Sequence, residues 1–258
     1  MSYRLSEMSK GRARMAMSQG LSVWVLEAPQ GFGDAAFHAH HAIQMTVSLS
    51  GALELSTADE TLRAPMLAVA ADEHHRFEAH GLLVFIFVEP ESQMGRVLAA
   101  KLFRERPLVA LVEPAVEALV RPLKTTFEER VDNETMMQIG RAVVEQLVPE
   151  TDGRLPDARV QRIIDYAAAH LDELLTLEAA SEGIHLSPSR LRHLFVEQTG
   201  LAFRTYVLWL RLVKAVQVYS EGSSLTEAAH AAGFSDSAHF SRTFRRTFGL
   251  PATTVTRI

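Results

Sequence analysis

Hydrophobic positions change period twice along the chain. Residues 20–90 follow the short period of extended strands. Residues 21–26 form a short apolar run, 43–49 alternate with period two, and 52–55 return after the Ser50-Gly51 turn. Residues 82–88 are continuously apolar and end at Glu89-Pro90, which suits a strand buried on both faces. Several short strands separated by turn signals predict a small barrel or sandwich. From residue 92 to 148 the spacing becomes helical. Val97, Leu98 and Leu102, then Leu108, Leu111, Val112, Val116, Leu119 and Val120, recur on common faces, and a further helix is expected over 136–147. Pro107, Pro114 and Pro122 fall near expected helix ends. Residues 151–156 are polar, with Gly and Pro, and read as a linker.

Beyond that linker the same local pattern occurs twice. In the first unit Thr176 caps a helix carrying Leu177, Ala180 and Ser181, and Gly183 turns the chain. Ser187 caps the next helix, Pro188 occupies its first position, and Gly200 stops it. Leu191, Leu194 and Phe195 form its inward seam, leaving Ser189, Arg190, Arg192 and His193 on the other side. In the second unit Thr226, or Ser224 with Glu227 three residues on, starts a helix with small Ala228, Ala229 and Ala232. Gly233 turns the chain, Phe240 and Phe244 face inward, and Gly249 and Pro251 end the helix. Ser237, Ala238, His239, Ser241, Arg242 and Arg245 stay on outward or flanking faces. Between the units Phe203–Ser220 reads as one long helix with two apolar seams. Its length is about 27 Å at roughly 1.5 Å per residue, against about 34 Å between successive major-groove faces. A rigid spacer of that order places two reading helices on one side of a duplex.

The net charge of −5 argues against nucleic-acid binding until it is divided along the chain. Residues 183–258 hold nine Arg and Lys against four acids, a local balance of +5, and the remainder carries −10. That asymmetry fits one region that touches phosphates and another that does not. Apolar residues make up 47 %, enough for a real core. The chain has no cysteine, which excludes disulfides, thiolate metal sites and thiol catalysis and fits a reducing compartment. Residues 1–20 lack an apolar core of the signal-peptide kind, and no apolar run is long enough for a membrane span.

Residues 159–257 resemble the AraC/XylS family of bacterial transcription regulators. The matching residues are Leu194-Phe195, Thr199-Gly200, Tyr206, Arg211-Leu212 with Ala215, residues 232–236, residues 239–245, Phe248-Gly249 and Pro251. The resemblance implies two helix-turn-helix motifs bound to promoter DNA. By position it puts base reading on Ser189, Arg190, Arg192, His193, Ser237, Ala238, His239, Ser241 and Arg242. Arg192 and Arg242 can donate two hydrogen bonds to guanine. Ser187 at the helix start, with Arg245 and Arg246, completes the DNA-facing set; the two arginines suit phosphate contacts.

Six of the eleven histidines lie between residues 38 and 80. In a strand His38 and His40 share a face, and Gln44 has the same parity. Imidazole and amide oxygen on one face are candidate metal or effector ligands. Gly33, His38, His40, Gln44 and Gly51 resemble the first cupin motif, with Gln44 where cupin metalloenzymes usually have glutamate, and His75 sits where the second motif places its histidine. The resemblance implies a cupin-like sensor.

The expected chain is therefore α+β and multidomain. A cupin-like sensor barrel spans 1–90, a helical segment for dimerisation or signal transfer 91–150, a linker 151–156, and a DNA-binding domain with two helix-turn-helix motifs 157–258. The expected function is sequence-specific transcription regulation in the bacterial cytoplasm, without catalysis. The expected partners are promoter DNA, RNA polymerase for an activator, a small-molecule or divalent-metal effector at His38, His40, Gln44 and His75, and a second copy of the chain. The competing class is a cupin oxygenase or isomerase fused to a DNA-binding tail, which requires a metal ion with an open position for substrate.

Overall fold

Strand β8 (Gly81–Val88) organises the N-terminal half. It pairs antiparallel with β2 (Leu21–Ala28) on one side and β3 (Ile43–Ser48) on the other. Its alternating side chains serve two cores. Leu82, Val84, Ile86 and Val88 join one apolar cluster, and Leu83, Phe85 and Phe87 join another. This is the strand expected to be buried on both faces.

The computed structural model describes residues 11–31, 35–129, 132–148 and 155–257. Gly33 and most of the expected linker, 151–154, lie outside the described residues. Among the described residues β8 belongs to a seven-stranded sheet in the order β10-β1-β2-β8-β3-β6-β9. The added strands are β1 (Gly11–Ser18), β6 (Met66–Val69), β9 (Leu108–Ala110) and β10 (Val255–Arg257). A second sheet has the order β5-β4-β7, with β4 (Leu53–Ser56), β5 (Thr61–Arg63) and β7 (Arg76–Ala79).

The expected barrel does not close. The two sheets face each other, and the space between them takes in side chains from the C-terminal half. Trp24, Leu26, Phe77, Phe85 and Phe87 pack in one cluster with Phe240, Phe244, Phe248 and Leu250. Two other strands correct the helical reading. Residues 108–110, expected on a helix face, form β9 against β6. Pro107 and Pro114 bracket this stretch, and so short a helix gains few hydrogen bonds. Strand β10 pairs parallel with β1, joining the two ends of the described chain.

Helices α1 (Gln93–Leu102), α2 (Pro114–Val120), α3 (Pro122–Glu129) and α4 (Asn133–Leu147) cover the outer face of the large sheet. Their apolar residues Leu98, Val116, Val120, Val143 and Val144 are buried there. Pro114 and Pro122 sit at helix starts, where the missing N–H is harmless.

The C-terminal half is helical: α5 (Ala158–Ala169), α6 (Leu177–Ala180), α7 (Pro188–Thr199), α8 (Phe203–Ser220), α9 (Leu225–Ala231) and α10 (Ser237–Phe248). Helix α8 feeds two cores, as its seams predict. Phe203, Tyr206 and Val207 pack with α5 to α7. Leu212, Ala215 and Val216 pack with α9 and α10, and Trp209 joins them from between the expected seams. Ser224 and Glu227 cap α9 reciprocally. No described helix is long and apolar enough to cross a membrane.

Helix α4 approaches the sheet through Gly140, where an added Cβ would lie 2.4 Å from Val23 Cγ2. Gly140→Leu is expected to destabilise the chain by about 1–3 kcal/mol through overpacking. An unchanged urea midpoint would contradict the seating of α4 on β2.

Candidate DNA interface and histidine centre

Each of the two outward helix faces is set by a local stop and start. Gly183 and Gly233 turn the chain with positive φ before α7 and α10. Ser187 caps α7 by accepting from Arg190 N, and Asp236 caps α10 by accepting from His239 N. Gly200 and Gly249 close both helices in the left-handed conformation. Leu191, Leu194 and Phe195 are buried on α7, and Phe240, Phe244 and Phe248 on α10.

The expected DNA-facing residues lie opposite these seams. Ser187, Ser189, Arg190, Arg192 and His193 are exposed, as are Ala238, Arg242, Arg245 and Arg246. Ser237, His239 and Ser241 are half-buried. The His239 ring lies edge-on to Phe234 with centroids 5.1 Å apart, so packing fixes its direction. Arg192 pairs with Glu178 at 3.0 Å, an exposed ion pair weak enough to exchange for another acceptor. A groove of about 1020 Å³ includes Arg192 and His193 of α7, Arg204 and Arg211 of α8, and His239 of α10. Arg211 is engaged structurally, donating to the carbonyls of Leu171 and Glu173.

The histidines divide into two groups. His38, His40 and His75 are buried together, with one candidate ligand atom of each within 4.8 Å of the others. An isolated antiparallel bridge sets His38 opposite His75, with both N–H···O distances 2.9 Å. Each Nδ1 meets a backbone carbonyl: Ala36 for His38 at 2.9 Å, Ala42 for His40 at 3.0 Å and Glu73 for His75 at 2.9 Å. A carbonyl only accepts, so each Nδ1 carries the proton and each Nε2 keeps its lone pair. His75 Nε2 is buried without a partner. Gln44 lies 2.9 Å from His40 Nε2 and 2.9 Å from Thr46 Oγ1. Its amide turned over gives N–H to the imidazole and accepts from the threonine. Burial first, then neighbouring His40, lowers His38 to about 4. Burial likewise lowers His40 and His75, so all three rings are neutral at neutral pH.

His41 points elsewhere. Its Nδ1 faces Asp72 and its Nε2 faces Glu91, both at 3.1 Å. Burial opposes its charge, but the hydrogen bonds to Asp72 and Glu91 override burial and raise it to about 9. The network continues into the C-terminal half. Tyr206 Oη donates to Glu91 at 2.6 Å, and Trp209 Nε1 donates to Glu89 at 3.2 Å. Arg96 donates to the carbonyl and side chain of Gln198, each at 3.0 Å. Burial and then Glu91 raise Glu89 to about 7. This junction joins residues more than 100 positions apart and is not among the contacts expected from local spacing. Its signal was present in two glutamates flanking Pro90 straight after a buried strand.

These features define a two-domain protein: an N-terminal sheet-rich domain and a C-terminal helical domain with a basic outward face. Residues 180–258 match the helix-turn-helix domain family. The chain is 26 % identical to the probable transcriptional regulator LumQ of Photobacterium leiognathi over 84 % of this chain and 90 % of that protein. It is 31 % identical to the transcriptional activator RhaS of Salmonella arizonae, over 62 % of this chain and only 58 % of RhaS. The fold is similar to the crystal structure of ToxT from Vibrio cholerae O395, with a TM-score of 0.55 and 13 % identity over 95 % of this chain and 96 % of ToxT. Residues 180–258 therefore form a helix-turn-helix domain of the AraC type, and the relatives that share it are named as transcription regulators.

The raised Glu89 fixes the sign of one pH effect. The folded state holds this proton up to about pH 7 and the unfolded chain only to about 4.5. Glu89 therefore contributes stability below pH 4.5 that is lost as pH rises through 7. Glu89→Gln keeps an acceptor for Trp209 and removes the ionisation. Thermal melts are expected to show the variant near wild type at pH 4.5 and more stable at pH 8. Equal gaps at both values would contradict the assignment.

Proposed function

We propose that the chain regulates promoters by reading adjacent major grooves with two helix-turn-helix units, α6–α7 and α9–α10. In this reading the N-terminal domain takes an effector at its histidine-lined end. Arg192, Arg242, Ser189, Arg190, His193, Ser237, Ala238 and Ser241 face bases, while Ser187, Arg245 and Arg246 hold phosphates. His239, packed on Phe234, presents its free edge between the two readers. The chain acts in the bacterial cytoplasm as a homodimer, and as an activator it contacts RNA polymerase. The apolar faces of α1 to α4 are spent on the sheet, so subunit contact falls to their outer faces.

The observation that carries this reading is the shared core. Trp24, Phe85 and Phe87 of the N-terminal domain pack in one cluster with Phe240, Phe244 and Phe248 of α10. Any ligand that changes the space between the sheets also acts on the helix that presents Arg242, Arg245 and Arg246.

Genome-wide mapping of bound sites supplies the cognate duplex. On that duplex Arg242→Ala is expected to weaken binding by about 1–3 kcal/mol and relax base preference locally, whereas Arg245→Ala weakens all sequences alike and lowers the salt slope by about 1. Fluorescence anisotropy across salt concentrations and sequence variants measures both. Unchanged affinity and base preference for Arg242→Ala would remove it from the reading set.

A further inference from the structure

We propose that the cleft between the two domains, with Asp72 on its N-terminal wall and Arg246 on its C-terminal wall, binds a small α-amino acid or a molecule with the same ammonium–carboxylate pair. The binding site stands on the cleft itself. Its effect on promoters rests on the reading above and names the chemical class of the effector.

Three walls build the cleft. Residues 39–41 and Asp72 supply the N-terminal side. Thr205, Leu208, Trp209 and Leu212 recur at helical spacing and present one stripe of α8. Thr243, Arg246 and Thr247 do the same on α10. The enclosed space is about 160 Å³. That is more than a single ion or water needs, since a water's share of the liquid is about 30 Å³. It is less than the roughly 300–1,000 Å³ of pockets for larger ligands.

Opposite charges stand across this space without meeting. Among the described residues Asp72 alone is a non-glycine with positive φ, 61°. Its N–H donates to His40 O at 2.9 Å, which fixes the backbone. Its Oδ2 meets His41 Nδ1 at 3.1 Å, and the side chain stays 51 % exposed. Among the described residues Asp72 Oδ1 has no hydrogen-bond donor. Charged His41 lies between two carboxylates, Asp72 and Glu91, so this wall keeps a net negative charge. Arg246 lines the cleft from α10 and, among the described residues, has no ion-pair partner. Both charges are therefore left for a third group.

A small zwitterion answers that layout. Its ammonium group donates to Asp72 Oδ1, and its carboxylate accepts two parallel hydrogen bonds from the planar guanidinium. The hydroxyls of Thr205 and Thr243 stand on the same walls. Leu208, Trp209 and Leu212 leave an apolar side for a short side chain. An anion alone leaves Asp72 unanswered, and a cation alone leaves Arg246 so. Arg246 also couples the cleft to DNA. At about 100° per residue it stands about 40° round α10 from Arg242 and about 60° from Thr243. It lies between the reading face and the cleft face, and its side chain serves one at a time. A carboxylate in the cleft draws it from the phosphates.

The test titrates the full chain calorimetrically with glycine, L-alanine, L-valine and L-leucine, then with the carboxamide and the N-acetyl form of the tightest. At least one amino acid is expected to bind at one site per chain, and each capped form at least about 10-fold more weakly, for the lost charged hydrogen bonds. Binding of none, or equal binding of a capped form, overturns the proposal. Asp72→Asn, which tolerates the same backbone, should erase the preference over the N-acetyl form. Arg246→Gln should erase the preference over the carboxamide. A merely structural role weakens all three ligands alike, and that outcome, or preferences that survive both substitutions, overturns the assignment. Anisotropy on the mapped duplex reads the coupling. The amino acid is expected to weaken promoter binding and to lower the salt slope by about 1, the loss of one phosphate contact. Unchanged promoter binding with the cleft filled overturns the coupling. A chain that binds the amino acid but no promoter defeats the broader reading alone.

Discussion

The interface between α10 and the N-terminal sheets is the constraint on which the rest of the molecule depends. Phe240, Phe244 and Phe248 recur every fourth residue, so they line one face of the helix. That face is spent on Trp24 and Phe87 as much as on the helix's own domain. Burying each such aromatic is worth about 1.5–3 kcal/mol. The open side between the two sheets, which a closed barrel would cover with its own strands, is covered by the DNA-binding domain instead. The opposite face of the same helix carries Arg242, Arg245 and Arg246. One twelve-residue helix therefore answers to two partners, and neither can be changed without the other.

Electrostatics sharpens this division at adjacent residues. His40 and His41 are neighbours in sequence, yet one is held neutral and the other charged. His40 points toward His38, His75 and Gln44, where burial disfavours a proton. His41 points the other way, between Asp72 and Glu91, where hydrogen bonds to two carboxylates override burial. A bend at His41 and Ala42, closed by Ala42 N donating to His40 O at 2.9 Å, turns the two rings apart. It leaves the domain three neutral imidazoles on one side. On the other it gives a charged tie that reaches Tyr206 of α8 through Glu91. Burial, with Glu89 and Glu91 nearby, raises the Tyr206 hydroxyl, so it remains a donor to that carboxylate.

The legible part of the sequence was local. Cap serines, turn glycines and apolar seams located α7, α8 and α10, because each is decided within a few residues. The period-two parity of His38, His40 and Gln44 was also local, and the structure gathers those side chains. His75 joins them only through a bridge across 37 positions of sequence, which spacing alone does not show. Strands β1 and β10 were missed for the same reason. In β1 the alternation of Ala13, Met15 and Met17 with Arg12 and Arg14 is weak, and its parallel partner lies at the far end of the chain. Trp209 read as one apolar residue among many on α8. Its role came from Glu89, 120 residues earlier. Closure of the barrel was misjudged because the sequence pattern of strands does not reveal that another domain fills the gap.

A joint core of this kind sets limits on any effector. A ligand shifts an equilibrium only by its difference in affinity for the two states. Taking a population from one in a hundred to ninety-nine in a hundred needs about 5.5 kcal/mol of such difference. Parting Phe244 and Phe248 from Trp24 and Phe87 exposes surface worth a similar amount, at about 1.5–3 kcal/mol for each ring. An effector need not enter the aromatic cluster to supply it. His38 lies at the edge of the cluster and against Gly249, where there is no side chain to yield. A small displacement there meets backbone directly and is passed on to α10 rather than absorbed. The glycine that ends α10 is thus also the point where the N-terminal domain bears most directly on that helix.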